Sequence, residues 1–120
     1  MLASDEEIKK FCKAIDILFF MVNFYLSTKR YNNNTITFIG YWISSAYNGK
    51  GFISRAVKII EKQAFNCGIH RLVITVQKDN TPSSRVAERN NYILEGVLHD
   101  ALYKYDRYFD AKIYAKINNS

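Results

Sequence analysis

Cysteine, proline and long apolar runs are scarce in this chain, and each shortage narrows what it can be. The two cysteines, Cys12 and Cys67, stand alone, without the spacing of a metal site or a redox motif, so both read as core thiols and no metal is expected. The single proline, Pro82, suits the first position of a helix, and no repeat, linker or low-complexity segment is visible. The longest apolar stretch, AIDILFFMVNFYLS, is too short to cross a bilayer and holds Asp16 and Asn23, so it reads as a buried strand and no membrane partner is expected. The start, with its SDEE, lacks the basic region of a secretory signal, which points to the cytoplasm. Acidic residues are also a minority: 11 against 17 basic ones give +6. That balance suits an anionic partner, whether nucleic acid, acidic protein or a multiply phosphorylated cofactor.

What is present is the material of one core. Hydrophobic residues make up 48% and aromatics 15% of 120 residues, too rich for disorder and enough for one sheet-based core, so residues 1–120 read as a single domain. The few glycines matter by position. In YNGKGFISRAV, Gly49 and Gly51 precede a run in which Ile53, Ala56, Val57, Ile60, Ala64 and Cys67 recur at steps of three and four. Ile59 and Phe65 widen that stripe, so the segment is a helix laid on a sheet and not the second strand of a hairpin. Gly68 stands where a left-handed cap belongs, and HRLVITVQ after it is a strand. Backbone NH groups in a loop entering a helix converge on an anion, and Lys50 or Arg55 would add charge at the rim. Two glycines with one spacer are, by themselves, better explained by a structural loop than by a ligand site.

Elsewhere, Ser4 and Glu7 form a capping box before a helix with Ile8, Phe11, Cys12 and Ile15 as its stripe. Residues 18–27 and 35–44 read as a hairpin around the polar turn TKRYNNN. After the strand at 72–77, Thr81 caps a helix with Pro82 at its first position and Asn91 as left-handed exit. Strands at 92–98 and 107–117 are joined by KYDR. In the second of these, Phe109, Ala111, Ile113, Ala115 and Ile117 read as the buried face. Tyr108, Asp110, Lys112, Tyr114 and Lys116 read as the wetter one. The tyrosines are then half-buried strand residues and not stacking platforms.

Two separated segments, GYWISSAYNGKGFISRAV and DNTPSSRVAERNNYILEGVL, together resemble the Gcn5-related N-acetyltransferases (GNAT), in particular the Rim-type ribosomal-protein branch, over residues 39–117. The resemblance implies a mixed α+β (α/β) fold, a mostly antiparallel central sheet flanked by helices. It implies direct acetyl transfer from acetyl-CoA, as co-substrate, to an amine, which is a small molecule or a protein N-terminus, ribosomal proteins included. The pyrophosphate would lie on the backbone of Asn48, Gly49, Lys50, Gly51, Phe52 and Ile53, where the family writes Gln or Arg first and Gly or Ala last. The strand ending at Ile43 would pair with pantetheine amides, Asn80 would border the pantetheine, and Ser83 would protonate the leaving thiolate. Asn91 occupies a position usually held by glycine.

The departures carry expectations of their own. Phe38 stands where the branch commonly writes a glutamate that helps deprotonate the amine, and neither His99, Asp100 nor Glu95 is an obvious replacement. Residues 1–38 match the family poorly, as though the front were shortened, and an uncovered edge would then be closed by a second copy in a homodimer. A CoA-binding module without turnover is the alternative reading. A basic nucleic-acid-binding domain is the third, and it has no need for the paired motifs.

Overall fold

The computed structural model describes residues 23–32, 34–42 and 52–119. The helix expected at 4–15 and the first part of the strand expected at 18–27 lie outside them. The hairpin is present. Strand β1 (Asn23–Tyr31) runs antiparallel to β2 (Asn34–Trp42), with Tyr31 opposite Asn34, and Asn32 turns the chain at φ 53°, a left-handed value that Asn tolerates. The turn is therefore tighter than TKRYNNN suggests, and Thr28, Lys29 and Arg30 continue the strand. Among the described residues β1 lies at the edge of the sheet; Lys29 and Arg30 are exposed, and the Thr28 and Thr37 hydroxyls hydrogen-bond across the pair at 3.0 Å.

Helix α1 (Phe52–Asn66) buries Ile53, Ala56, Val57, Ile60 and Ala64, as its spacing predicts. Ile59 does not join them: it is 45% exposed, and Phe65 and Cys67 only flank the core, so the buried stripe is narrower than the sequence suggested. Gly68 ends the helix at φ 85°. Its NH donates to the Phe65 carbonyl (3.1 Å) and the Ile69 NH to that of Ala64 (3.0 Å), the paired bonds of a left-handed C-cap. Strand β3 (Arg71–Gln77) sends Leu72, Ile74 and Val76 into the same core as α1.

Helix α2 (Thr81–Arg89) is capped by Asn80 and not by Thr81: the Asn80 Oδ1 accepts the Ser83 NH at 3.2 Å. The asparagine amide, one bond longer than a threonine hydroxyl, reaches the free helix NH from one residue further back, and Thr81 becomes the first helical residue. Asn91 leaves the helix at φ 65°, as expected. Asn90, buried, donates through Nδ2 to the Val86 carbonyl (2.9 Å) and the Ser54 hydroxyl (3.1 Å), tying α2 to α1.

Strands β4 (Ile93–Lys104) and β5 (Arg107–Ile117) form the second hairpin, turning at Tyr105 and Asp106 with φ 54° and 61°. β4 is longer than expected because it accommodates two irregularities, one at Glu95 and one between Leu98 and Leu102. At the second, Asp110 accepts the Asp100 NH at 2.9 Å and meets His99 Nδ1 at 3.3 Å. The backbone bond to Asp100, and then His99, hold the Asp110 carboxyl below the usual carboxylate range. The sheet order is β1-β2-β3-β5-β4, with only β2 and β3 parallel.

The two faces of β5 differ from expectation. Tyr114, placed on the wetter face, is 2% exposed within the core shared with α1, whereas Ile117 is 36% exposed. Ala111 and Ala115 on the opposite face are also buried, so burial does not alternate here and polarity alone misassigns the side. Lys116, on Tyr114's face, satisfies its charge on Glu61 (3.0 Å) and the Asn90 carbonyl (3.1 Å). Among the described residues no helix is long and apolar enough to cross a membrane.

Candidate functional site

β2 and β3 are hydrogen-bonded only where residues 36–39 face 71–74. Beyond Ile39 and Ile74 the two strands part, although β2 remains paired with β1 through Trp42 and β3 with β5 through Gln77. Strand edges carry backbone NH and CO groups that need partners. Among the described residues the facing edges of Gly40–Trp42 and Thr75–Gln77 are not paired with each other, which leaves room for a ligand lying between them.

A cavity of about 260 Å³ occupies this gap, lined by Gly40 and Tyr41 from β2, residues 75–77 from β3, Asn80 and Ser83 from α2, and Leu102 and Lys104 from β4. The start of α2 points partial positive charge at it. Ser83 is buried, and its hydroxyl makes no hydrogen bond to the described residues. Asn80 has its Oδ1 committed to the cap and its amide NH2 left over. Tyr41 spans the gap: its hydroxyl donates to the Ser83 carbonyl at 2.7 Å, and burial, chiefly, pushes that hydroxyl's pKa well above the ordinary tyrosine value.

Of the residues singled out from sequence, the structure brings Asn80 and Ser83 together at one wall. Ile53 sits in α1 with its side chain buried in the core, which leaves only its backbone to meet a ligand. Phe52 opens α1. Ile43, Asn48, Gly49, Lys50 and Gly51 lie outside the described residues. Phe38 is half-buried on β2, opposite Ser27 and Val73, and is not among the cavity's lining residues. His99 is 86% exposed and engaged with Asp110; Glu95 binds Arg71 in an exposed ion pair that lowers its own pKa. Neither reaches the cavity. Sequence reasoning missed Tyr41, although it lies in the quoted GYW, and Leu102 and Lys104, which only the irregular β4 brings in.

Comparison with known proteins gives the same picture. A family profile described as an acetyltransferase (GNAT) domain matches residues 21–92. The ribosomal-protein-serine acetyltransferase of Escherichia coli (strain K12) is 41% identical over 83 residues, 68% of this chain and 46% of that protein. Among solved structures, Mycobacterium smegmatis RimJ in complex with CoA-disulfide superposes with a TM-score of 0.73 at 25% identity, covering 78% of this chain and 46% of that one. The microcin C7 self-immunity acetyltransferase MccE, in complex with acetyl-CoA and AMP, does so at 0.64 and 35% identity, covering 68% and 46%. The chain thus spans about half the length of the relatives it matches.

Proposed function

Because the chain belongs to the acetyltransferase (GNAT) family, we propose that it is an acetyl-CoA-dependent N-acetyltransferase acting on an amine, in particular a protein N-terminus, those of ribosomal proteins included. The observation that carries this reading is the parting of β2 and β3 over the N-terminus of α2. An extended ligand with amide groups fits between two such edges as an added strand pairs with a sheet. Bound acetyl-CoA supplies a thioester carbonyl: the nitrogen of the neutral amine bonds to that carbon and gives up a proton to solvent, the C–S bond breaks, and the thiolate takes up a proton. Ser83, with an uncommitted hydroxyl in the cavity, donates that proton. The α2 N-terminus stabilises the developing negative charge on sulfur, and alignment of the two reactants supplies several kcal/mol more. Residues 48–53 hold the pyrophosphate on their backbone NH groups.

We read the protein as a cytoplasmic homodimer; the dimer is supported by Ile93, Leu94, Val97 and Leu98, all exposed along β4, which lies at the sheet's edge among the described residues, and a monomer in light scattering at micromolar concentration would argue against it. The transferase reading is tested by thermal shift with acetyl-CoA, CoA and plain phosphate, followed by mass spectrometry of amine products. Acetyl-CoA should stabilise the protein, and Gly51→Val should remove that effect by placing a side chain where the pyrophosphate lies. An unaltered response in the folded variant refutes the cradle. Tight CoA binding with no acetylated product at any pH leaves the CoA-binding module as the function.

A further inference from the structure

Lys104 and Arg107 stand directly opposite each other at the end of the β4–β5 hairpin, and opposed like charges destabilise a strand pair. Neither makes an ion pair among the described residues, and Asp106, between them in the turn, pairs with neither. The Arg107 guanidinium lies instead over the Phe109 ring at 4.6 Å. Lys104 lines the cavity and is the one charged residue among the described residues that do. Arg107, as its cross-strand partner, shares that face. The position is built and not incidental: Asp110 fixes the irregular segment of β4, and the strand beyond it carries Leu102 and Lys104 to the cavity.

We propose that Lys104 and Arg107 form an anion clamp for the acceptor, favouring polypeptide N-termini with acidic residues in their first few positions. The proposal rests on the transferase reading of the cavity. An acceptor amine arrives as an ammonium, and one that carries no other charge is repelled by two cations at the rim. Carboxylates beside the amine reverse the sign of that interaction. The rim is open, with Lys104 and Arg107 themselves exposed and Tyr105 89% exposed at the turn between them, so a bound chain can leave the cavity along it, as a polypeptide requires. Exposure also screens the clamp: each cation contributes about fivefold in affinity at most, less at high salt.

The test is peptide binding to the protein saturated with CoA, a complex that cannot turn over, read by fluorescence polarisation. The probes are free-N-terminus peptides of one sequence carrying Asp and Glu, Asn and Gln, or Lys after the first residue. The acidic peptide should bind several-fold more tightly than the amide peptide, with the advantage shrinking at high salt. The preference should vanish in Lys104→Met/Arg107→Met and reverse in Lys104→Glu. The double variant should melt at or above the wild-type temperature, since opposed like charges are removed, which establishes that it is folded. Equal binding of acidic and amide peptides, no binding of either, or a preference that survives the double substitution overturns the clamp. Absence of acetyl transfer strikes only the transferase reading, because turnover plays no part in this measurement.

Discussion

Tyr41 fastens the open end of β2 to the start of α2 through one hydrogen bond across the cavity, so it sets how far the gap can widen. Removing only the hydroxyl tests that function. Tyr41→Phe should cost about 1 kcal/mol in chemical denaturation and raise the KM for acetyl-CoA several-fold with little effect on kcat; an unchanged KM would leave the bond a purely structural one. Because burial raises the hydroxyl's pKa, the neutral donor is favoured in the folded protein. Its contribution should hold below about pH 10, the ordinary tyrosine value, and fade only as pH rises through the higher folded value. Phe38 invites the complementary experiment. With no carboxylate at that position, and none lining the cavity among the described residues, the fraction of neutral acceptor amine should limit the rate. Acetyl transfer is then expected to climb with pH towards the amine's own pKa. A wild-type plateau beginning near pH 7 would instead reveal another base.

At the scale of elements, regular ones were legible and irregular ones were not. The apolar spacing of α1, the cap at Gly68, the exit at Asn91 and both hairpins follow from local rules that two or three neighbouring residues satisfy. Asn80 and Ser83 could likewise be singled out, through motif resemblance. The path of β4 was not readable, because it depends on Asp110 of another strand capping the Asp100 NH, and with it went Lys104's place at the cavity. The faces of β5 were misread for a similar reason: burial of Ala111, Tyr114 and Ala115 depends on what lies over each face of the sheet. The Asp110 contact yields a prediction of its own. A carboxyl with a lowered folded pKa contributes stability above its unfolded value near pH 4, and that contribution is lost as pH falls through the lower folded one. The protection of the Asp100 amide, its exchange rate compared with the intrinsic rate at the same pH, should therefore fall below about pH 4 in the wild type. Asp110→Asn should remove that acid dependence, and protection that is equally pH-sensitive in the variant would rule the carboxylate out as its cause.

For the molecule as a whole, the parting of β2 from β3 matters beyond the cavity it opens. The sheet consists of a β1–β2 hairpin and a β3–β5–β4 unit, and between strands they are joined by four residue pairs, 36–39 with 71–74. Each hairpin closes a short loop, but this seam closes one that includes all of α1, so its ordering entropy is the larger and it should form late. The native protein should then open in two cooperative steps, the β1–β2 hairpin detaching at lower free energy than the global transition. A ligand lying along both facing edges would act as a missing stretch of seam and couple the two units. Native-state hydrogen exchange should show acetyl-CoA slowing the amides of residues 26–31 and 34–41 more than those of β5, merging two unfolding events into one. Uniform protection across the sheet would mean that the seam alone already makes it a single cooperative unit.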